Sequence, residues 1–357
     1  MRRRLLIALT LAALVVAGAC GNDDDTPSVA SEGDTTTTAA ASAEPVTLRL
    51  GYFPNVTHAT AIAGVEKGIF AKALGSNVTL EPKTFNAGPA AVEALLADQL
   101  DATFIGPNPA INLFSKDKKA IRIISGATSG GAALVVKPEI TSAAQLEGKK
   151  VASPQLGNTQ DVALRYWLKE EGLSTTPSGG GDVSVAPQEN AQTLDTFKAG
   201  AIQGAWVPEP WVSRLVQEGG GKVLVDEKSL WSGGKFVTTH LIVRTEFLEE
   251  HPDVVERLLE GQVEATDFVN TSSAEAQTVV NAGIEKITGK KLADPVIAAA
   301  WKNLTFTYDP VASSLKESAA HAEAVELLAK VDLSGIYDLT LLNKVLKAKG
   351  ETAVKGF

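Results

Sequence analysis

Residues 154–168 read PQLGNTQDVALRYWL, and their reading decides the fold. A short apolar strand ends here and a helix begins. The junction carries Gly157, Asn158, Thr159, Gln160 and Asp161, with no cationic side chain. A helix start leaves four backbone N–H groups without intrahelical partners, and the macrodipole adds partial positive charge there. A strand running straight into such a start is the repeating unit of an α/β protein. It is also a place where a small anion can be held without a lysine. The same residue types open helices simply as caps, so the meaning depends on whether the pattern recurs.

It recurs toward the N-terminus. Residues 46–53 (VTLRLGYF) have the alternation of a strand and precede Asn55-Val56-Thr57-His58, then a helical run through Ala61, Val65 and Ile69 with Gly68 near its end. Residues 78–85 form a second expected strand, ahead of Asn86-Ala87-Gly88-Pro89. Pro89 suits the first helical position, and Val92, Leu95, Leu96 and Leu100 then share one helix face. A third strand over 102–106 meets Pro107-Asn108-Pro109, with Asn108 the expected N-cap. Apolar strands follow over 121–127 and 132–136.

A second unit begins near Lys137-Pro138. Its strands are expected over 151–154, 183–186, 205–207 and 223–225, with a helix over 190–200 and a surface turn at Gly179-Gly180-Gly181. The run 240–243 (HLIV) is one more strand, and helices are expected over 252–269, 295–303, 314–329 and 341–348. Alternating strands and helices predict an α/β fold with largely parallel pairing. No repeat of 20 to 50 residues stands out, which argues against a solenoid.

The first 19 residues have another purpose. Arg2, Arg3 and Arg4 form a positive start, residues 5–16 an apolar stretch, and Ala17-Gly18-Ala19 a small-residue cleavage site, so residues 1–19 read as a secretory signal peptide. The chain's single cysteine, Cys20, follows at once, which rules out an intramolecular disulfide. A lone cysteine there resembles a bacterial lipobox, with Ala17 in place of the usual leucine. Acyl chains on Cys20 would hold the protein at a membrane surface. Residues 20–45 then form the lipidated start and a tether, too poor in apolar residues to offset its ordering entropy.

Composition narrows the function. After cleavage, 30 cationic side chains face 42 acidic ones, a formal charge of −12 against −9 for the whole chain. That argues against nucleic acid, which needs clustered basic surface. An anionic ligand remains compatible, because contact-range donors act where the distant field is screened. No metal-ligand motif is present, nor a nucleophile elbow, a phosphate-binding glycine loop or a dinucleotide fingerprint. The sequence therefore implies no cofactor, no metal and no enzyme.

Two further features carry chemistry. In Trp206-Val207-Pro208-Glu209-Pro210-Trp211, Trp211 can pack on a ligand's carbon body and Glu209 can accept from a ligand donor. Equally, both tryptophans can be core and Glu209 a hinge salt bridge. Of the four histidines, His58 and His240 stand where they can donate to an anion, whereas His251 and His321 read as surface residues.

The stretches GYFPNVTHATAIAGVEKGIF, FNAGPAAVEALLADQLDATFIGPNPAINL, SGATSGGAALVVKP, PQLGNTQDVALRYWL, GAWVPEPW and KFVTTHLIVRTEFLEEHP, in that order, resemble the nitrate/sulfonate/taurine-binding family. These are substrate-binding lipoproteins of bacterial ABC importers. The resemblance is strong over 46–270 and weaker beyond. It implies a type II periplasmic-binding-protein fold: two α/β lobes, a hinge and a ligand cleft between them. Carried over, lobe one is 46–137 plus 239–357 and lobe two is 138–238. The implied ligand contacts are Asn55, Thr57, His58, Gly88, Asn108, Ser129, Gly130, Asn158, Thr159, Gln160, Glu209 and Trp211. The implied partners are a small organic anion, an aliphatic sulfonate or sulfate ester first, and a membrane permease with its ATPase. Nitrate, bicarbonate, taurine and pyrimidine precursors are the alternatives. The implied state is a monomer anchored on the extracytoplasmic face of the membrane. An enzyme of pyrimidine or cofactor synthesis on the same fold, and a ligand-sensing lipoprotein, are readings of other classes.

Overall fold

The computed structural model describes residues 45–357. The expected signal peptide, Cys20 and nearly all of the expected tether lie outside the described residues. From the N-terminus, β1 (Val46–Tyr52) leads through a 3-10 turn at Val56–His58 into α1 (Ala59–Glu66) and α2 (Ile69–Leu74). β2 (Val78–Thr84) leads into α3 (Gly88–Leu96), and β3 (Ala102–Ile105) into α4 (Pro107–Lys116). Then β4 (Ile121–Gly130) and β5 (Ala132–Val136) follow each other directly. Next come β6 (Lys150–Ser153) with α5 (Thr159–Glu170), β7 (Ser184–Pro187) with α6 (Asn190–Lys198), β8 (Gly204–Pro208) with α7 (Trp211–Gln217), and β9 (Lys222–Asp226). The chain then runs through β10 (Val237–Arg244), α8 (Thr245–Glu250), α9 (Pro252–Thr271), α10 (Ser273–Thr288), α11 (Asp294–Lys302), β11 (Leu304–Phe306), α12 (Ala312–Ala324) and α13 (Thr340–Ala348).

Two sheets form two α/β lobes. One has the order β11-β4-β10-β3-β1-β2 and the other β7-β6-β8-β5-β9. Each is buried on both faces, which is why the strands read as nearly continuous apolar runs. Along β5 the period-2 alternation sends Leu134 and Val136 into a cluster with Trp206 and Trp167. Ala133 and Val135 enter another with Phe197 and Val207. In the larger sheet Leu48 and Leu50 pack against α9 residues such as Leu258 and Leu259, while Ile105 and Ile123 join Leu95 and Ile111 on the opposite face.

The expected parallel pairing is corrected. β1 is parallel to β2 and β3, and β6 is parallel to β7 and β8. But β10 is antiparallel to β3 and β4, β11 to β4, and β5 to β8 and β9. The reason is connectivity: strands that pass between sheets return without the helical crossover that parallel neighbours require. The passage point also differs from the expected lobe boundary after residue 137. β5 pairs within the smaller sheet, so the chain changes sheets at Gly130-Gly131, where both residues take positive φ (81° and 75°). A side chain at either position would carry backbone strain. The return runs through 227–236, since β10 begins at Val237 in the larger sheet.

Candidate functional site

Helix starts from both lobes meet at one cavity. From the larger-sheet lobe it is lined by Phe53, Asn55, Thr57 and His58, by Asn86 and Ala87, by Gly106, and by Thr238 and Thr239; from the other lobe by Asn158, Thr159, Gln160, Asn190 and Pro208. His58, Ala87, Gly106 and Asn158 are the N-cap residues of α1, α3, α4 and α5, and Asn190 is the first residue of α6. Five helix N-termini thus face one space. Each lies at the carboxyl end of a strand, because a β-strand that delivers the chain to a helix leaves the helix start beyond the sheet edge. The cavity is tight: a water centre can occupy about 20 Å³ of it, little more than one water needs.

No lysine, arginine, aspartate or glutamate lines it. His58 is the titratable group, and burial pushes its imidazole down to about 3. The backbone N–H of Phe53 donates to His58 Nδ1 at 3.3 Å. This bond assigns the neutral ring's proton to Nε2, so His58 is a neutral donor whose ring lies 4.3 Å from the Phe53 ring, tilted by 34°. Trp211 Nε1 donates to Asn55 Oδ1 at 2.9 Å across the two lobes, which leaves the Asn55 NH₂ to donate elsewhere. The Thr128 and Thr239 hydroxyls both donate to the Thr57 carbonyl, at 2.7 and 3.1 Å, pinning the turn before α1. Asn158 Nδ2 reaches Gln160 Oε1 only at 3.5 Å, and the Asn158 side chain makes no capping bond.

Two buried polar atoms in the lining have no partner: Thr159 Oγ1 and Asn190 Oδ1. Buried polar groups are nearly always satisfied, and these two oxygens, one of a hydroxyl and one of an amide, stand out against that rule. Thr159 Oγ1 sits where a Cβ on Gly106 would be. The glycine is what lets α5 approach the start of α4.

Of the expected contacts, Asn55, Thr57, His58, Asn158, Thr159 and Gln160 line this cavity. The others lie around it. Gly88 opens α3 against Pro109, with Asn158 Oδ1 3.3 Å from where its Cβ would be. Asn108 is not the N-cap of α4, which is Gly106; it lies in the first turn and its Nδ2 donates to the Ser318 carbonyl at 3.0 Å. Ser129 and Gly130 end β4, paired with β11. Glu209 is buried and makes no salt bridge among the described residues. Its carboxylate accepts from Asn303 Nδ2 at 2.7 Å and from the Ser213 hydroxyl and N–H at 3.0 and 3.1 Å, and desolvation raises its pKa. Trp206 is core, donating to Glu227 Oε2 at 2.7 Å, whereas Trp211 bridges the lobes.

The histidine expectations divide. His240 lies within β10, its Nε2 3.0 Å from the Pro310 carbonyl, away from the cavity. His321 is half-buried rather than fully exposed: its ring stacks on Tyr166 at 3.7 Å. Sequence reasoning missed Asn86, Asn190, Thr238 and Thr239 in the lining. Asn190 carried a signal, since it too opens a helix after a strand. The threonines lie inside β10 and had none.

Comparison with known proteins follows the same line. A family model described as NMT1-like matches residues 41–284. A Brucella abortus protein named as a binding protein is 28% identical over 247 residues, 69% of this chain and 73% of that protein. The taurine-binding periplasmic protein of Escherichia coli is 28% identical over 197 residues, 55% of this chain and 58% of that protein. The alkanesulfonate-binding protein SsuA from Xanthomonas axonopodis pv. citri, solved bound to MOPS, superposes with a TM-score of 0.68 at 19% identity, covering 81% of this chain and 96% of that one. That likeness speaks for the fold: two α/β lobes of the periplasmic-binding type.

Proposed function

Because the chain belongs to the NMT1-like family, we propose that it is an extracytoplasmic solute-binding lipoprotein of an ABC importer. It captures a small organic anion, an aliphatic sulfonate or sulfate ester first, by closing its lobes. The observation that carries this reading is the convergence of five helix N-termini on a cavity lined without charged side chains. Free N–H groups and the macrodipoles favour an anion there. Hydrogen bonds to a charged partner contribute about 1.5–3 kcal/mol each. Several together reach the roughly −8 kcal/mol of micromolar binding after association costs. The names of the E. coli and Xanthomonas relatives support the sulfonate class.

The two sheets are the cores of the closing lobes, with passages at Gly131 and through 227–236. On this reading capture involves no chemistry, and His58 serves as a neutral hydrogen-bond donor. The closed form docks on a membrane permease, an ATPase drives release, and a lipid on Cys20 keeps the monomer nearby. The tightness of the cavity supports a second reading, in which the ligand is a compact anion such as bicarbonate or nitrate.

The test is a thermal shift series on the chain with alkanesulfonates, alkyl sulfates, taurine, nitrate, bicarbonate and pyrimidines. A ligand that binds only the native state raises Tm with concentration, and sulfonates or sulfate esters are expected to do so. A response to uncharged heterocycles alone would reduce the helix starts to caps. Cys20→Ser is expected to move the protein from the membrane to the soluble fraction, and retention at the membrane would remove the anchor from the proposal.

A further inference from the structure

A second and far larger cavity opens where α5 and the 227–236 passage meet α12. It measures about 410 Å³ where the polar cavity measures about 20 Å³, within the range of small-molecule sites. Its wall is aromatic. His321 of α12 stacks on Tyr166 of α5 at 3.7 Å and lies 5.3 Å from Trp231, whose other neighbour is Phe236 at 5.3 Å. Both lobes therefore contribute rings to one surface.

The carboxyl groups are the only side chains in the lining, His321 aside, that ionise near neutral pH. Glu170, Glu171 and Glu317 are exposed, and Glu227 lies buried beneath them. Glu227 is engaged by the Nε1 groups of Trp206 and Trp231, at 2.7 and 3.3 Å. The other three have no ion-pair partner among the described residues. No lysine or arginine lines the cavity, and Lys169, which precedes Glu170 in sequence, is tied to the Ala324 carbonyl at 2.6 Å. Burial pushes His321 down to about 4, so it adds no positive charge at neutral pH.

Aromatic faces and carboxylates share one preference. Both attract positive charge, the rings through their quadrupoles and the acids through Coulomb attraction. An anion would be repelled. A neutral apolar molecule would desolvate carboxylates with no return. A bare divalent ion needs converging oxygens, and no group of three candidate metal ligands exists among the described residues. What satisfies both walls is a diffuse, weakly hydrated positive charge on a carbon body.

We propose that this cavity is a second ligand site, selective for an organic cation such as an aryl or alkyl ammonium, separate from the polar cavity at the helix starts. Because α5 and α12 belong to different lobes, an occupant also ties the lobes together.

Titration calorimetry on the full chain with benzyltrimethylammonium, and with benzyl alcohol as the uncharged counterpart, tests this. We expect saturable 1:1 binding of the cation, at least tenfold tighter than the alcohol. Glu170→Gln with Glu317→Gln, both at exposed positions, should weaken it at least fivefold, as should Tyr166→Leu. Thr159→Val, at the polar cavity, should leave it unchanged. Absence of saturable binding, equal affinity for the alcohol, indifference to the glutamate changes, or loss through Thr159→Val would each overturn the proposal.

Discussion

Thr159 shows how one side chain separates stability from binding. Its hydroxyl is buried and unpartnered, so in the free protein it is a desolvated donor with no return. Thr159→Val keeps the shape and removes the hydroxyl, and Tm should stay level or rise. Ligand affinity should fall at least tenfold, the share of one hydrogen bond to a charged partner, about 1.5–3 kcal/mol. Denaturation and titration of the same variant check both, and a lower Tm with unchanged affinity would refute the assignment. Glu227 gives a test of pH. Burial pushes its carboxyl up to about 7 from 4.5. Its folded value lies above its unfolded one, so its contribution is fully present below about 4.5 and is lost as pH rises through about 7. Relative to wild type, Glu227→Gln should therefore gain stability between pH 5 and pH 8, on the order of 2 kcal/mol. A pH-independent difference would show that Glu227 ionises normally in the fold. Thr159 was legible as part of a polar helix start. Glu227 was not, because its environment is two indoles, one 21 residues away in sequence.

At the scale of the element, α5 explains how a helix start is held in place. Asp161 accepts from the Ser153 hydroxyl at 2.6 Å, from the Gly157 N–H at 2.9 Å and from Arg165 Nε at 3.1 Å, and both members of the pair are buried. The carboxylate thereby ties the end of β6 to the turn that aims Asn158 and Thr159. Asp161→Ala leaves a buried guanidinium uncompensated and should cost about 3–5 kcal/mol. Replacing both partners, Asp161→Leu with Arg165→Met, should cost less. Chemical denaturation of both forms measures the difference, and equal losses would mean that the pair, not the stranded charge, matters. The i,i+4 spacing of Asp161 and Arg165 was visible in the sequence. Their burial was not, since the same spacing is commonest on exposed helix faces.

At the scale of the molecule, bonds between lobes decide how closed the resting form is. Trp211 Nε1 to Asn55 Oδ1, Asn303 Nδ2 to Glu209 Oε1 and Asn86 Nδ2 to Glu189 Oε1 all cross from one lobe to the other, at 2.9, 2.7 and 2.9 Å. Trp211→Phe keeps the ring and removes the donor. The unliganded chain should then show a larger radius of gyration by small-angle scattering. Affinity should fall a few-fold, because less of the population is competent to bind. An unchanged radius would indicate that this bond does not hold the lobes.

The sequence by itself determined most of the strands and of the helices that follow them, and about half of the residues expected at the cavity, though not α8, α10 or β11. Strand and helix periodicity are local, and a helix start announces its polar residues within a few positions of the strand before it. That is why Asn55, His58, Asn158 and Thr159 were legible, and why the strand segments 132–136 and 205–207 stand within β5 and β8. Only the tertiary structure decided which strands are antiparallel, that β5 belongs to the second sheet, that His240 faces Pro310 rather than the cavity, and that His321 stacks between lobes. Each of these depends on partners 68 or more residues away, the shortest being Val136 with Gly204. Contacts at that separation are selected by how whole faces pack, which no local pattern records.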